Sequence, residues 1–254
     1  MSRFALITGA SSGIGEELAI QLDRLGYTCI LVARREERLR TLASKLTQNP
    51  VLFALDVTDK TSVSRIIEYL ENHSIFLEVL VNNAGFGDVG SFASGDIDKY
   101  DQMIEVNITA LTRWTYHLIP YMVRPGHIMQ VASLAGFLSG PNMAVYYATK
   151  NYVLSFSEAL YHELKDENIF VSAFCPGPVA TEFGQVANAK GLSIFNSVSA
   201  QSVEIASKKA LDGMFKKKPI ILSKGEHHVL VFLLRLLPRQ LVSSVSKRIQ
   251  TKKL

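Results

Sequence analysis

The sequence predicts an α/β fold in which a doubly wound parallel sheet of about seven strands is covered by helices on both faces. Short apolar runs alternate with longer helical patterns along the chain, and this alternation is typical of βαβ units. A glycine-rich loop lies directly between the first strand and the first helix, as in many nucleotide-binding α/β proteins. A chain of 254 residues with 48% hydrophobic content can bury one large core, so one domain is expected.

The elements can be placed in order along the chain. Six strands are predicted from short buried-type runs at residues 4–8, 28–33, 51–55, 78–81, 127–132 and 170–174. Helical patterns fall between them at residues 14–26, 36–47, 60–72, 98–123 and 145–166. Gly26 marks the end of the first helix, and Asp59-Lys60-Thr61-Ser62 marks the beginning of the third.

The glycine spacing Gly9-x-x-x-Gly13-x-Gly15 predicts a site for the pyrophosphate of a dinucleotide. Glycine lets the backbone turn tightly and approach the anion, and the first amides of the following helix favour negative charge. The spacing differs from the common G-x-G-x-x-G, so a turn with a glycine-rich helix cap is the alternative. The strand before the loop and the helix after it favour the dinucleotide site.

The end of the second strand predicts which dinucleotide is bound. An NAD site usually has an acidic side chain here for the ribose 2′-hydroxyl, whereas this strand ends Ala33-Arg34-Arg35. An arginine can bind a 2′-phosphate through a charge-assisted hydrogen bond, so we predict NADPH over NADH, with Arg34 as the phosphate ligand. The alternative is that residues 34–38 only form a solvated beginning of a helix.

Three residues form a candidate catalytic group: Ser133, Tyr146 and Lys150. Tyr146 and Lys150 are four residues apart, so on a helix they share a face that Tyr147 does not. A phenol titrates near about pH 10, and Lys150 together with the positive nicotinamide of an oxidised cofactor would stabilise the phenolate and bring its pKa towards the working pH, which makes Tyr146 a usable general acid. Ser133 follows the strand at 127–132, at the sheet edge that binds ligands, where its hydroxyl can hold a carbonyl oxygen. The alternative is a turn cap and an exposed helical pair.

With these residues the sequence resembles the short-chain dehydrogenase/reductase family over about residues 3–225. The resemblance depends on Thr8 to Gly15, Asp56, Asn82-Asn83-Ala84-Gly85, Asn107, Ser133, Tyr146-x-x-x-Lys150 and Pro176-Gly177. It implies a Rossmann-like fold and an NADPH-dependent oxidoreductase that reduces a ketone or aldehyde, or oxidises the matching alcohol, by hydride transfer. A sensor or scaffold protein that binds NADP(H) on the same fold is the alternative. Such a protein would be free to lose the catalytic group, which is complete here.

The resemblance also implies roles for the matching residues. Asn107 would hold a water that links Lys150 to solvent and completes a proton relay from Tyr146. Asp56 and Val57 would flank the adenine, residues 83–85 would support the adenosine side, and residues 176–181 would enclose the nicotinamide. The implied cofactor-binding set is Thr8, Gly9, Ser11, Ser12, Gly13, Ile14, Gly15, Arg34, Asp56, Val57, Asn83, Ala84, Gly85, Tyr146, Lys150, Pro176, Gly177, Val179 and Thr181. A homodimer or homotetramer is expected on the same grounds.

The loop after the sixth predicted strand, about residues 182–200, is expected to select the substrate. Its apolar side chains are Phe183, Val186, Leu192, Ile194 and Phe195. They favour an apolar or lipid-like carbonyl substrate, although a loop can also be apolar because it packs on its own domain.

The C-terminal residues 226–254 are predicted to form an apolar and basic helical extension of a single catalytic domain at residues 1–225. Residues 229–237 are apolar but fall short of the roughly 20 residues that span a bilayer. Six of the 27 basic residues lie in residues 235–254, which have no acidic residue, while the rest of the chain has 21 basic and 23 acidic residues, a net charge of −2. This distribution disfavours a general nucleic-acid surface. Membrane contact through residues 229–254, a cover over the substrate pocket and a subunit contact stay open.

Other features point to a reducing compartment. Neither Cys29 nor Cys175 has a disulfide or metal-ligand spacing, and the pair His227-His228 lacks a third ligand, so no metal site is predicted. The first seven residues are too short for a secretory signal and lead straight into the glycine-rich loop. We therefore expect a cytoplasmic protein, with peripheral membrane association as the alternative.

Overall fold

The computed structural model describes residues 3–187 and 200–251, and it confirms the predicted fold class. The described strands form one parallel sheet in the order β3-β2-β1-β4-β5-β6-β7. Their bounds are β1 Arg3–Thr8, β2 Tyr27–Ala33, β3 Val51–Ala54, β4 Leu77–Asn82, β5 Met122–Val131, β6 Ile169–Cys175 and β7 Ile220–Leu222. The sequence pattern located the first six, whereas β7 has only three residues and is too short to show a period.

Helices cover both faces of this sheet because its strands are apolar on both sides. The helices are α1 Gly13–Arg24, α2 Glu36–Ala43, α3 Lys60–Asn72, α4 Ile97–Ile104, α5 Leu111–Leu118, α6 Ala144–Leu164, α7 Phe183–Val186, α8 Val203–Phe215, α9 Gly225–Leu236 and α10 Arg239–Thr251. Neighbouring residues of β1 enter opposite cores: Ile7 packs with residues of α1, α2 and α8, and Leu6 packs with residues of α3 and α5. The alternating directions of side chains along a strand account for the two cores.

Two predicted helices end differently in the structure. The helix predicted at 36–47 ends at Ala43, because Thr47 and Gln48 donate their backbone amides to the Asp23 carboxylate at 2.9 and 2.8 Å. The helix predicted at 98–123 is divided into α4, a π-helical segment Glu105–Ala110, α5 and a short 3₁₀ turn, and β5 already begins at Met122.

The π-helical segment positions Asn107, which is fully buried. Its side-chain oxygen accepts a hydrogen bond from the Phe86 amide at 3.1 Å, and its amide nitrogen donates to the Phe86 carbonyl at 2.9 Å and to the Thr149 hydroxyl at 3.0 Å. Hydrogen bonds of this kind stabilise by about 1 kcal/mol each, enough to favour a wider helical turn that aims Asn107 at both partners.

The strand order reverses between β1 and β4, and open α/β sheets bind ligands at the carboxyl ends of strands beside such a reversal. Thr8, the last residue of β1, ties the two strand ends together, since its hydroxyl oxygen accepts the amides of Asn83 and Ala84 at 3.0 and 3.1 Å. The expected binding edge is therefore held in a defined geometry.

The two C-terminal helices follow β7 directly. His227 of α9 is buried, and Val231 packs beside β6 and β7 residues of the core. Across residues 3–187 and 200–251, no helix is both long and apolar enough to cross a bilayer. The division between a domain at 1–225 and an extension at 226–254 stays a prediction. Leu192, Ile194 and Phe195 of the predicted substrate loop lie outside the described residues.

Candidate active site

A cleft of about 1080 Å³ follows the carboxyl edge of the sheet. Most of the site residues predicted from the sequence line it: Gly9, Ser11, Ser12, Gly13, Ile14, Arg34, Asp56, Val57, Asn83, Ala84, Gly85, Ser133, Tyr146, Lys150, Pro176, Gly177, Val179 and Thr181. The other three predicted residues do not line the cleft but lie next to residues that do: Thr8, Gly15 and Asn107. Residues that are distant in sequence thus meet in one elongated cleft.

The glycine-rich loop is shaped for a close approach to a ligand. Gly9 has a φ of +65° and Gly13 a φ of +58°, which side chains rarely allow. A Cβ on Gly15 would lie 2.4 Å from Asn83 Nδ2 and 2.5 Å from the Gly9 carbonyl oxygen. Asn83 Nδ2 donates to that same oxygen at 3.0 Å, so the bare Gly15 lets Asn83 hold the loop. The loop then leads into the N-terminus of α1, which favours an anion.

The two arginines after β2 are placed differently. The Arg35 guanidinium donates to the hydroxyls of Ser11 and Ser12, at 3.1 and 2.8 Å, and pairs with Glu182 at 3.0 Å. The Arg34 side chain is 78% exposed, with its Nη1 3.7 Å from Asp56 Oδ2. Both line the cleft, but Arg35 is the one bound to the glycine-rich loop. Two adjacent arginines carry no sequence signal that distinguishes these positions.

The segment after β3 is held by contacts that the sequence did not reveal. Asp56 Oδ1 accepts the amide and the hydroxyl of Thr58 at 2.9 and 2.8 Å. The Val57 carbonyl accepts the indole N–H of Trp114 at 3.0 Å. Trp114 is 1% exposed, so its ring packs inside this chain. Asp56 and Val57 therefore form a rigid part of the cleft wall.

Ser133, Tyr146 and Lys150 meet at the other end of the cleft. Tyr146 and Lys150 lie on one buried face of α6, and Lys150 Nζ is 5.9 Å from the centroid of the Tyr146 ring. Lys150 Nζ donates to the Val131 carbonyl at the end of β5, at 2.8 Å. Ser133 follows β5, and its hydroxyl accepts the Ala135 amide at 3.1 Å. The strand end and the helix face thus converge, as the sequence predicts.

Burial changes the acidity of both titratable groups. It raises the pKa of Tyr146 well above its ordinary value, and a hydrogen bond with Ser133 opposes this effect. Burial also lowers the pKa of Lys150 to about 8. The protein by itself therefore does not lower the pKa of Tyr146 toward the working pH. The loss of water around the buried phenolate raises this pKa more than the hydrogen bond with Ser133 lowers it. In this state Tyr146 holds its proton and is a proton donor.

Asn107 lies beside this group. A Cβ on Gly85 would be 2.9 Å from Asn107 Oδ1 and 3.6 Å from Lys150 Nζ, so the three residues are close neighbours. The hydrogen bonds of Asn107 to Phe86 and Thr149 connect the loop after β4 with α6. Its predicted role in holding a water stays a prediction.

The segment 176–181 lines the cleft, and its end at Thr181 lies against the glycine-rich loop. A Cβ on Gly13 would meet the methyl group of Thr181 at 3.1 Å. Val179 pairs with Gln201, and the amides of Ala180 and Gln201 donate to Gln201 and Pro178 carbonyls, each at 3.0 Å. This pairing joins the two ends of the predicted substrate loop.

Apolar side chains surround Tyr146. Its ring is 5.4 Å from that of Phe183, and Phe86, Ala135, Met143 and Tyr147 pack in the same apolar cluster. Of these apolar neighbours, only Phe183 was predicted to contact substrate, because the others come from three separate segments without a common pattern. Within the two described ranges, no three His, Cys, Asp or Glu side chains lie close enough to hold a metal ion.

Comparison with known proteins adds the following similarities. A family model described as short chain dehydrogenase matches residues 3–192. An uncharacterized oxidoreductase of Staphylococcus saprophyticus is 37% identical over 185 residues, which are 71% of this chain and 75% of the relative.

Solved structures of the same fold carry either nicotinamide cofactor. A short-chain dehydrogenase from Sphingobium yanoikuyae in complex with NADPH is 31% identical, with a TM-score of 0.78 over 87% of both chains. A 3-ketoacyl-(acyl-carrier-protein) reductase from Brucella melitensis complexed with NADH is 25% identical, with a TM-score of 0.77 over 86% of this chain and 94% of that one.

Proposed function

Since this chain belongs to the short-chain dehydrogenase family and is an oxidoreductase, we propose that it uses NADPH to reduce an apolar ketone or aldehyde, or to oxidise the matching alcohol. The observation that carries this proposal is the meeting of Ser133, Tyr146 and Lys150 at one end of a cleft whose other end is the glycine-rich loop. A noncatalytic sensor is disfavoured because the family match is to an oxidoreductase and the catalytic group is assembled.

The described residues fit a dinucleotide. The glycines leave room that a Cβ would fill. The N-cap residue of α1 is Ser12, and its hydroxyl accepts a hydrogen bond from Arg35 and does not cap the helix, so the first amides of α1 have no side-chain partner there. Backbone amides in such a loop suit a pyrophosphate, and Asp56 and Val57 line the part of the cleft where an adenine would fit. When bound, the nicotinamide supplies or accepts the hydride.

The chain's own residues would handle the proton. Ser133 and Tyr146 would donate hydrogen bonds to the carbonyl oxygen, and Tyr146 would give its proton to the oxygen as negative charge develops there. The raised pKa of Tyr146 keeps this proton in place at neutral pH. Lys150 in its ammonium form would stabilise the resulting phenolate, and the Val131 carbonyl holds Nζ in position.

The proposed preference for NADPH is based on two residues that could bind its 2′-phosphate, Arg35 and Arg34. Arg35 is positioned by Ser11 and Ser12, and its partner Glu182 is an anion that a phosphate could replace. A hydrogen bond from Arg35 and the positive charges of Arg35 and Arg38 lower the pKa of Glu182, which supports a preference for negative charge at this place. Arg34 lies on the exposed side of the same region, with its Nη1 3.7 Å from Asp56 Oδ2.

We expect Arg35→Ala to weaken NADPH binding about 10-fold to 100-fold and to leave NADH binding nearly unchanged, because a charge-assisted pair contributes about 1.5–3 kcal/mol. Fluorescence titration of each variant with both cofactors measures this. Arg34→Ala, by the sequence prediction, should show the same selectivity. Arg40→Ala is the matched control, since Arg40 pairs with Glu36 on α2.

The variant Glu182→Gln distinguishes a phosphate-binding role of Arg35 from a purely structural one. Removal of the carboxylate frees Arg35, so NADPH should bind more tightly while NADH does not. Equal losses for both cofactors in Arg35→Ala would show that Arg35 only supports the loop.

The pH dependence tests the role of Lys150. Its pKa of about 8 means that the ammonium is present below that pH and is lost above it. We therefore expect kcat/KM for NADPH to fall as the pH rises above 8, approaching about tenfold per pH unit, since this parameter reports groups of the free enzyme. Circular dichroism at each pH controls for unfolding. A profile that stays flat up to about pH 10 would contradict this assignment.

The substrate class follows from the wall around Tyr146. Phe86, Met143, Tyr147 and Phe183 favour an apolar group beside the reacting carbonyl. A screen of NADPH oxidation against acyl, steroidal and small polar carbonyls tests this, with the highest kcat/KM expected for an apolar ketone or aldehyde. Highest activity on a small polar carbonyl would refute the apolar class. The predicted homodimer or homotetramer stays a prediction.

A further inference from the structure

Helix α9 has apolar side chains on two opposite sides, and the exposed His228 and Arg235 lie between them. His227 is buried and Val231 packs on the core, and these side chains face one side of the helix. On the opposite side, at the spacing i, i+3 and i+7, Val229, Phe232 and Leu236 are 62%, 63% and 66% exposed. One apolar face thus attaches α9 to the protein, and a second apolar face has no such contact within the described residues.

The exposed face continues beyond α9. We call the following exposed apolar residues the tail surface: Val229, Leu230, Phe232, Leu233, Leu236, Leu237, Leu241 and Val245. The last two lie on α10, one helical turn apart. Exposed apolar residues are common one at a time, but a run of eight within 17 positions is typical of a binding surface.

The charged side chains that follow Glu226 of the first turn of α9 are all positive. Arg235 and Arg239 are exposed and lie beside the tail surface, and residues 227–254 contain six basic residues and no acidic one. Glu226, just before this segment, pairs with Lys224 at 3.5 Å. The remainder of the chain has a net charge of −2, so the positive charge is confined to this region.

An apolar face with a basic border complements a bilayer that contains anionic lipids. A second copy of the chain is a poorer complement, since a symmetric contact would place the basic tails of two copies against each other. The twelve residues of α9 extend about 18 Å, less than the roughly 30 Å hydrocarbon core, so the helix would lie along the surface.

We propose that this protein docks on anionic membranes through α9 and α10, with the tail surface in the headgroup boundary and the basic residues at the lipid phosphates.

The docking helix α9 begins directly behind the cleft. A Cβ on Gly177 would lie 2.8 Å from His227 Cε1, and the Gly177 amide donates to Ser223 at 3.4 Å. Docking therefore brings the cleft close to the bilayer, which suits a lipid-like substrate. This last point rests on the proposed function, whereas the docking does not.

The test is sedimentation of the full chain with vesicles of phosphatidylcholine, with and without phosphatidylglycerol. We expect binding to the anionic vesicles, little binding to phosphatidylcholine alone, and release by salt, because screening weakens surface charge contacts. Phe232→Glu combined with Leu236→Glu should weaken partitioning about tenfold or more. Phe76→Glu is the matched control, since Phe76 is 55% exposed outside the tail.

A second set of variants tests the charges. Arg235→Gln, Arg239→Gln and Lys247→Gln together should weaken binding to anionic vesicles by roughly fivefold per cation. Lys60→Gln, Lys216→Gln and Lys218→Gln remove the same charge elsewhere and should have little effect. NADPH binding by each variant verifies its folding.

Two results would overturn the proposal. One is failure of the wild-type chain to sediment with anionic vesicles. The other is a dimer or tetramer in analytical ultracentrifugation that Phe232→Glu with Leu236→Glu dissociates, without any vesicle binding by the wild type. That outcome would make the tail surface a subunit interface. If the wild-type chain binds anionic vesicles but does not reduce any carbonyl compound, that result would count against the proposed function alone.

Discussion

Tyr146→Phe is expected to lower kcat about 10²-fold to 10⁴-fold and to leave NADPH binding largely unchanged, because it removes a general acid without removing the ring. The hydroxyl is buried at the end of the cleft, where Ser133 acts to lower its pKa. The ring contact with Phe183 remains in the variant, so the wall should keep its shape. Steady-state turnover and fluorescence titration with NADPH measure the two effects separately.

The matched control is Tyr147→Phe. Tyr147 is the next residue of α6, lines the same cleft and undergoes the same chemical change, but it does not share the face of Lys150. We expect its kcat to stay close to that of the wild type. If Tyr146→Phe keeps its turnover, or if Tyr147→Phe loses as much, the assignment of the general acid is wrong.

Gly15→Ala is expected to destabilise the protein by about 1–3 kcal/mol and to weaken NADPH binding by more than about tenfold. The added methyl would lie 2.4 Å from Asn83 Nδ2 and 2.5 Å from the Gly9 carbonyl oxygen, between the two partners of a hydrogen bond. Either this bond breaks or the loop moves, and both displace the backbone that the pyrophosphate would contact. Urea unfolding and cofactor titration measure the two effects.

Gly225→Ala is the control for this substitution. Gly225 is the first residue of α9, and no described atom lies within 4 Å of a methyl group placed there. We expect little change in stability or binding. A Gly15→Ala protein with wild-type stability and NADPH affinity would show that the loop tolerates the methyl and that its close packing is not required.

Local patterns were sufficient for much of the fold. The first six strands and the helices between them follow from apolar runs of the length of a strand and from helical periodicity, and both are properties of neighbouring residues. The pair Tyr146 and Lys150 is of the same kind, because four residues along a helix always return to the same face. The glycine spacing was also sufficient to predict a tightly turned loop between β1 and α1.

Other features depended on contacts between distant segments. The division of the predicted helix at 98–123 reflects the hydrogen bonds of Asn107 to Phe86 and Thr149, neither of which is near it in sequence. The different placement of Arg34 and Arg35 reflects Ser11, Ser12 and Glu182, from two other loops. The direction of the Tyr146 pKa shift reflects burial, which the sequence does not measure.

The sequence by itself therefore determined the fold class, the position of the glycine-rich loop and the shared helix face of Tyr146 and Lys150, because each depends on the regular geometry of one strand or one helix. The tertiary structure alone decided which arginine lies on that loop, which apolar side chains surround Tyr146 and which face of α9 stays exposed. These depend on the order of strands in the sheet and on the packing of helices across it, which bring together residues that no local pattern connects.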